Sequence, residues 1–322
     1  MKQHTHGQRD KRIEEAIHRI GSLAMQAMLF EVAATPKPGL VDRNNSGAHR
    51  DMDFFTFMAS AAAIGGTMEE MARAGFLFAG NADDGEGGSL ENLLPELKEI
   101  GLEGEKKMFA ATGGVNTHKG MIFSLGLLCG SAGYLEGMRY RQGESLCTPI
   151  AAETVCETAA RIIAGVCRRE LAETAEQPGK GDQPVNGEQP SKGEQVYQKH
   201  GITGARGEAE SGFATVRRWS LPIYRELRKE GRDINTSLVQ VLLHLIAHNK
   251  DTNIVARHDP ETLAYAQERA AQALALGGML AEKGRADVGR MDGEFIDRWI
   301  SPGGSADLVA LTHFLYEMET CR

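Results

Sequence analysis

No two of the five cysteines (Cys129, Cys147, Cys156, Cys167 and Cys321) form a C-x-x-C pair, and their number is odd. A disulfide framework and a thiolate zinc site are therefore not expected, and the cytosol is the default compartment. Aromatic residues are scarce, at 6%, and period-2 alternation is rare, which argues against a β-rich fold. Basic residues are not in excess: 36 Lys and Arg face 44 Asp and Glu, a formal net charge of −8. That balance argues against a general nucleic-acid partner. No apolar run approaches the roughly 18 residues of a membrane span, and Met1 to Arg12 lacks the apolar core of a secretory signal. What remains, 41% hydrophobic and 25% charged residues over 322 positions, is the profile of a soluble globular protein.

Apolar positions recur at helical spacing through most of the chain. Ile13, Ile17, Ile20, Ala24, Ala27 and Met28 predict one helix, stopped by Pro36 and Pro38. Others are predicted from near Asp53, over about 90–100, over 150–171 and over 306–318. The run 121–134 is apolar nearly all round, as in a helix buried on every side. Asn235, Thr236 and Ser237 can cap the apolar run 234–249, and Asp259-Pro260-Glu261 reads as a helix start. The expected fold is all-α: one multi-helix domain over 11–322 after a flexible tail at 1–10. It is interrupted at about 173–203 by a segment with Pro178, Pro184 and Pro190 evenly spaced and almost no large apolar residue. Such a composition cannot bury enough surface to offset chain entropy, and predicts a disordered surface insertion.

The 38 glycines are unexpected in a helical chain. Many fall in five polar loops. The first, TPKPGLVDRNNSGAHRDMD (35–53), holds Lys37, Asp42, Arg43, Asn45, His49, Asp51 and Asp53 on a proline-restricted backbone. Its aspartates are of the type that binds a hard divalent cation. The second, ATGGVNTHKG (111–120), puts Gly113, Gly114, Asn116, His118 and Lys119 before a helix. Free N–H groups and the positive end of a helix dipole suit phosphate there, although the spacing is not that of a Walker loop. The third, GARGEAESGF (204–213), carries Arg206 and Glu208. The fourth, HNKDTNIVAR (248–257), carries Asp251, Asn253 and Arg257. His244 and His248 stand four apart beside it, but the glutamate of H-E-x-x-H is missing, so zinc is not expected. The fifth, SPGGSADLVA (301–310), carries Ser301, Gly303 and Gly304. Taken singly, each loop has an ordinary reading as a turn or a helix cap. Taken together they predict one polar cleft for a polyanion with a metal ion.

The strings TPKPGLVDRNNSGAHRDMDFFTF, TGGVNTHKGMIFSLGLL, GARGEA, DTN followed by Arg257, and SPGGSADL resemble the triphosphoribosyl-dephospho-CoA synthase family. They occur in the family's order from about Ile13 to Tyr316, apart from the 173–203 segment. The resemblance implies a pentosyltransferase: ATP gives its 5-triphosphoribosyl group to the ribose 2′-hydroxyl of 3′-dephospho-CoA, and adenine leaves. The product is the prosthetic-group precursor for the acyl carrier protein of citrate lyase or malonate decarboxylase, passed on by a separate transferase. It also implies Mg²⁺, a cytoplasmic location and no membrane; a homodimer stays open. Within that chemistry Asp42, His49 and Glu208 are the expected proton-handling groups, and Asp51, Asp53 and Asp251 the metal ligands. Lys37, Arg43, Asn45, Gly113, Gly114, Asn116, His118, Lys119, Arg206, Asn253, Arg257, Ser301, Gly303 and Gly304 are expected to hold the substrates. Two alternatives stay open at the level of residues: a Mg²⁺-dependent N-glycoside hydrolase of ADP-ribose type, and a nucleotide-binding regulatory protein.

Overall fold

A computed structural model describes residues 2–81, 89–166 and 192–320. Among these residues every regular element is helical and none is a strand, as the scarcity of period-2 alternation predicts. The chain divides into two compact units. The expected disordered insertion lies largely at 167–191, outside the described residues.

Unit 1 comprises Met1–Ala33, Asp51–Ile162 and Ala310–Arg322. It contains α1 (Lys2–Ala33), α2 (Phe54–Asn81), a 3₁₀ turn (Leu90–Leu93), α3 (Leu94–Ala111), α4 (Lys119–Arg141) and α5 (Ala152–Ile162). Helix α1 thus includes the polar residues expected as a tail, which carry no periodic signal to reveal a helix. Helix α4 is long and apolar enough to cross a membrane by length and composition, yet 78% of its apolar window is buried inside the protein. It is a core helix, and glycine is what lets it be one. A methyl group on Gly133 would lie 1.9 Å from the Ala72 carbonyl oxygen, and one on Gly75 would lie 1.9 Å from that of Gly130. With Gly137, where a methyl group would meet the Phe76 carbonyl oxygen at 2.6 Å, these glycines let α2 and α4 meet nearly backbone to backbone, while Gly126 and Gly130 make room for the Met71 and Leu97 side chains. Much of the glycine excess is therefore helix packing, not loop chemistry.

Unit 2 comprises Ala34–Arg50 and Ile163–Val309. Its helices are α6 (Lys192–His200), α7 (Gly204–Glu210), α8 (Leu221–Lys229), α9 (Ile234–His248), α10 (Thr252–Arg257), α11 (Pro260–Ala275) and α12 (Glu282–Asp297). The last helix, α13 (Gly303–Thr320), begins in this unit. Helix α6 corrects the expected insertion boundary: 192–200 is folded, with Val196 buried. The low apolar average of the segment hides this short helix. Asp233 caps α9 by accepting from Thr236 N at 2.9 Å, two residues before the first of the expected caps. Asp259 caps α11, with Pro260 in the first turn, as predicted.

A partly buried ion-pair cluster, centred on the buried Arg269 and Asp287, ties α11 to α12. Arg269 donates to Asp287 and Glu294, both at 2.7 Å, and Arg290 also reaches Asp287. Hydrogen bonds from Arg269 hold both carboxyls below their ordinary values of 3.8 and 4.5. A carboxyl depressed by folding stabilises above its unfolded pKa, and that stability is lost as pH falls through the folded one. Stability should therefore decline below about pH 4.5, where the unfolded-state carboxyls begin to bind protons. Arg269→Gln should flatten that decline in melting temperature between pH 5 and pH 3; an unchanged slope would place the acid-labile contacts elsewhere.

Candidate active site

In unit 2 the first polar loop is held by its own aspartate. Asp42 is buried. Its Oδ1 accepts from Asn44 N (2.7 Å) and Asn45 N (3.2 Å), and its Oδ2 from Lys37 N (2.9 Å). Lys37 is itself buried. Thr35 is clamped by Asn235, whose Oδ1 accepts from Thr35 N and whose Nδ2 donates to Thr35 O. Arg43 reaches both Thr35 Oγ1 (3.2 Å) and Asn235 Oδ1 (3.1 Å).

Asp292, on α12, was invisible as a site residue because RMDGEF reads as an ordinary helix. It accepts from Gly39 N (2.9 Å) and Asn45 Nδ2 (3.1 Å), and so pins the loop from the other side. Burial, with help from the charge of Asp42, raises its carboxyl against those hydrogen bonds. Gly39 is required there: φ is +69°, and a methyl group would sit 2.0 Å from the Ile300 carbonyl oxygen.

The loop's far end meets the fourth and fifth loops. Arg257 Nη2 approaches His49 Nδ1 at 3.2 Å, and His49 Nε2 lies 2.8 Å from Ser301 Oγ. A guanidinium can only donate, so Nδ1 accepts and Nε2 carries the proton toward Ser301. His49, Arg257 and Ser301, scattered over 252 positions, are thereby one constellation.

Asp251 departs from its expected role as a metal ligand. It is buried and caps α10. Its Oδ1 accepts from Asn253 N (3.0 Å) and Gly304 N (3.2 Å), and its Oδ2 from Ser305 N (2.7 Å) and Ser305 Oγ (2.9 Å). Burial raises this carboxyl, and the donors oppose the shift. A carboxylate has about four lone-pair sites, and all are taken, so Asp251 locks the fourth loop to the fifth. Gly303 and Gly304 are spaced for this contact: methyl groups there would crowd Asn253 Nδ2 at 2.9 Å and Asp251 Oδ1 at 3.0 Å. Glu208 is likewise committed, accepting from Thr215 N, Thr215 Oγ1 and Val216 N; burial raises its carboxyl. Arg206 lies on the same short helix, α7.

In unit 1 the second loop turns through Gly113 (φ +65°) and Gly114 (φ +90°), which face open space. Lys119 is exposed and paired with Glu105 at 2.9 Å, and Asn116 Oδ1 accepts from Lys119 N. His118 departs from expectation. Its ring is buried, bonded through Nδ1 to Ser60 Oγ at 2.7 Å and set edge-on to Phe57. It therefore packs the start of α4 against Ser60 and Phe57 of α2. Asp53 caps α2 through Thr56, and Asp51 is exposed just before it. Within either unit, among the described residues, no three Asp, Glu, His or Cys side chains are placed to share one ion. The donor set thus does not fit a metal held by protein groups alone.

The same loops decide the family. The description ATP:dephospho-CoA triphosphoribosyl transferase matches residues 17–322. The chain belongs to this family. It is 43% identical over 299 residues to the probable 2-(5''-triphosphoribosyl)-3'-dephosphocoenzyme-A synthase of Vibrio cholerae serotype O1 (strain M66-2), covering 93% of this chain and 88% of that protein. It is 42% identical to the 2-(5''-triphosphoribosyl)-3'-dephosphocoenzyme-A synthase of Klebsiella pneumoniae, covering 91% and 89%. A relative in Albidiferax ferrireducens (strain ATCC BAA-621 / DSM 15236 / T118), bearing the same probable name, is 42% identical over 93% and 90%. No solved structure matches the chain significantly. All five polar loops of this transferase lie inside the matched residues.

Proposed function

We propose that the protein transfers the 5-triphosphoribosyl group of ATP to the ribose 2′-hydroxyl of 3′-dephospho-CoA, releasing adenine. The observation that carries this reading is the family match across 17–322, with relatives of that name alignable over nine-tenths of the chain. The bond from C1′ to adenine N9 breaks, the bond from C1′ to the acceptor oxygen forms, and the hydroxyl proton leaves with adenine. Positive charge develops on the sugar, as in glycoside cleavage, and the triphosphate stays intact. Water as acceptor would make the enzyme a hydrolase, and no observation favours that alternative.

The geometry supports different roles for the expected residues. Asp42 and Glu208 spend their carboxylates on backbone N–H groups and, at Glu208, the Thr215 hydroxyl, whereas His49 meets the side chains of two other candidates, Arg257 and Ser301, and is the proposed proton carrier. The exposed Gly113–Gly114 turn and Lys119 are the proposed grip for phosphate. Mg²⁺ is proposed to arrive on the nucleotide, where it would neutralise phosphate charge, an ion of this kind being held by substrate phosphates, waters and one or two carboxylates. Asp51 and Asp53 are then at most supporting ligands. Transfer of the product to an acyl carrier protein by a separate enzyme, a cytoplasmic location and a homodimer belong to the same proposal.

The test is to incubate purified protein with ATP, 3′-dephospho-CoA and Mg²⁺ and analyse the products by mass spectrometry. Free adenine and a triphosphoribosylated dephospho-CoA are expected in equal amounts, without ADP or phosphate. ADP appearing in step with dephospho-CoA consumption would establish phosphoryl transfer instead. Adenine release without dephospho-CoA would establish the hydrolase.

A further inference from the structure

The end of α12 contains an anomaly that no role assigned so far explains. Ile300 N donates to Phe295 O and Trp299 N to Ile296 O, the paired bonds of a Schellman termination, with Ile300 and Phe295 both buried. The residue at the turn must adopt the left-handed region, where glycine is the default and a bulky side chain is strained. Here that residue is Trp299, at φ +59°. Its indole is not sequestered in the core: it is 42% exposed, with the Arg50 guanidinium 4.6 Å from the ring centroid. His258 Nε2, 2.9 Å from the Trp299 carbonyl oxygen, holds the turn from outside. Arg50 follows His49 in the chain and lies over the indole, Trp299 stands two residues before Ser301, and His258 follows Arg257, so this turn borders the His49–Ser301–Arg257 constellation. The other tryptophan, Trp219, is unlike it. Its ring stacks on His248 at 3.6 Å and is also faced by Arg218.

We propose that Trp299 is the stacking platform for the adenine of a bound nucleotide, with Arg50 as the cation beside it. A flat exposed indole next to an arginine is the chemistry that holds a purine by its face while a cation favours an anionic ligand. A strained, exposed aromatic side chain contributes little to the fold and can contribute much to a ligand. The proposal rests on the activity proposed above, whose two substrates both carry adenine. The shared chemistry is an adenine nucleotide, and the experiment separates the two.

Trp219→Phe leaves Trp299 as the sole tryptophan. Its fluorescence is titrated separately with ATP, with 3′-dephospho-CoA and with inorganic tripolyphosphate. Quenching by one or both nucleotides, and little by tripolyphosphate, is expected; the quencher identifies the occupant. In parallel, Trp299→Gly should raise or preserve the melting temperature, because the left-handed strain is relieved, while KM for that nucleotide rises about tenfold, the scale of one lost base–aromatic stack. Trp299→Phe should fall between. Opposite signs on stability and KM are what a merely structural tryptophan would not give. The proposal is overturned if neither nucleotide quenches, if tripolyphosphate quenches equally, or if Trp299→Gly leaves both KM values unchanged. Adenine release by the unaltered protein is scored independently, so failure of the activity and failure of the platform are distinguishable.

Discussion

Asp251→Asn should lower the melting temperature by roughly 4–5 °C, the consequence of about 3 kcal/mol against an unfolding entropy of about 2.1 cal/mol/K per residue. The substitution is nearly isosteric, so the effect is chemical. The native carboxylate accepts four hydrogen bonds, two at each oxygen, from the start of α10 and the start of α13. An asparagine offers one carbonyl oxygen and one amide nitrogen, and the nitrogen can only donate. With the nitrogen in place of Oδ2 the Ser305 hydroxyl can turn and accept, but Ser305 N would face another donor, at a cost of about 1–3 kcal/mol, and the remaining bonds lose their charge assistance. Adenine release should fall with it, because Asn253 and the Gly303–Gly304 turn lose their common anchor. The measurement is a thermal melt beside a Mg²⁺ titration of the residual activity. An unchanged melting temperature with a raised Mg²⁺ requirement would restore Asp251 to the role of metal ligand that its neighbours in sequence first suggest.

Gly133→Ala and Gly66→Ala should shift stability in opposite directions. Both glycines are helical, and alanine is favoured in a helix interior by about 1 kcal/mol. Gly66 faces open space, with nothing within 4 Å of an added methyl group, so that preference should appear as a gain of about 0.5–1 kcal/mol. At Gly133 the methyl group would lie 1.9 Å from the Ala72 carbonyl oxygen. A backbone carbonyl inside a helix cannot swing aside as a side chain can. Helices α2 and α4 must separate along their seam, at the upper end of the 1–3 kcal/mol range for overpacking or beyond it. Against a total of about 5–15 kcal/mol, that is a large share. Chemical denaturation of the pair decides the matter: a Gly133→Ala protein as stable as the unaltered one would mean that the two helices do not approach as closely as described.

The sequence by itself determined the helical class, most helix positions and the family. Those properties reside in local repeats and contiguous strings: apolar residues at a spacing of three and four, Asp-Pro-Glu at a helix start, and loops whose order of residues is specific. It also singled out His49, Arg257 and Ser301 as candidates, since each lies in a polar loop. Only the tertiary structure brings the three into hydrogen-bond contact. Asp42, Asp251 and Glu208 read as catalytic or metal-binding because a carboxylate in a polar loop has no visible partner in a one-dimensional string. Their partners are mostly backbone N–H groups, which every sequence contains and no sequence displays, joined by the Ser305 and Thr215 hydroxyls at Asp251 and Glu208. His118 reads as a phosphate donor, yet its ring turns inward to Ser60, 58 positions away. Asp292, Arg50 and Trp299 were missed for the converse reason, standing in unremarkable helix and loop ends until folding sets them beside the site. Even glycine divides this way. Gly113 and Gly114 carry positive φ in a loop, as their pairing suggests, whereas the demand for glycine at 75 and 133 comes from a carbonyl on another helix. Local patterning decides which elements form; contacts between residues distant in sequence decide which polar atoms are left for chemistry.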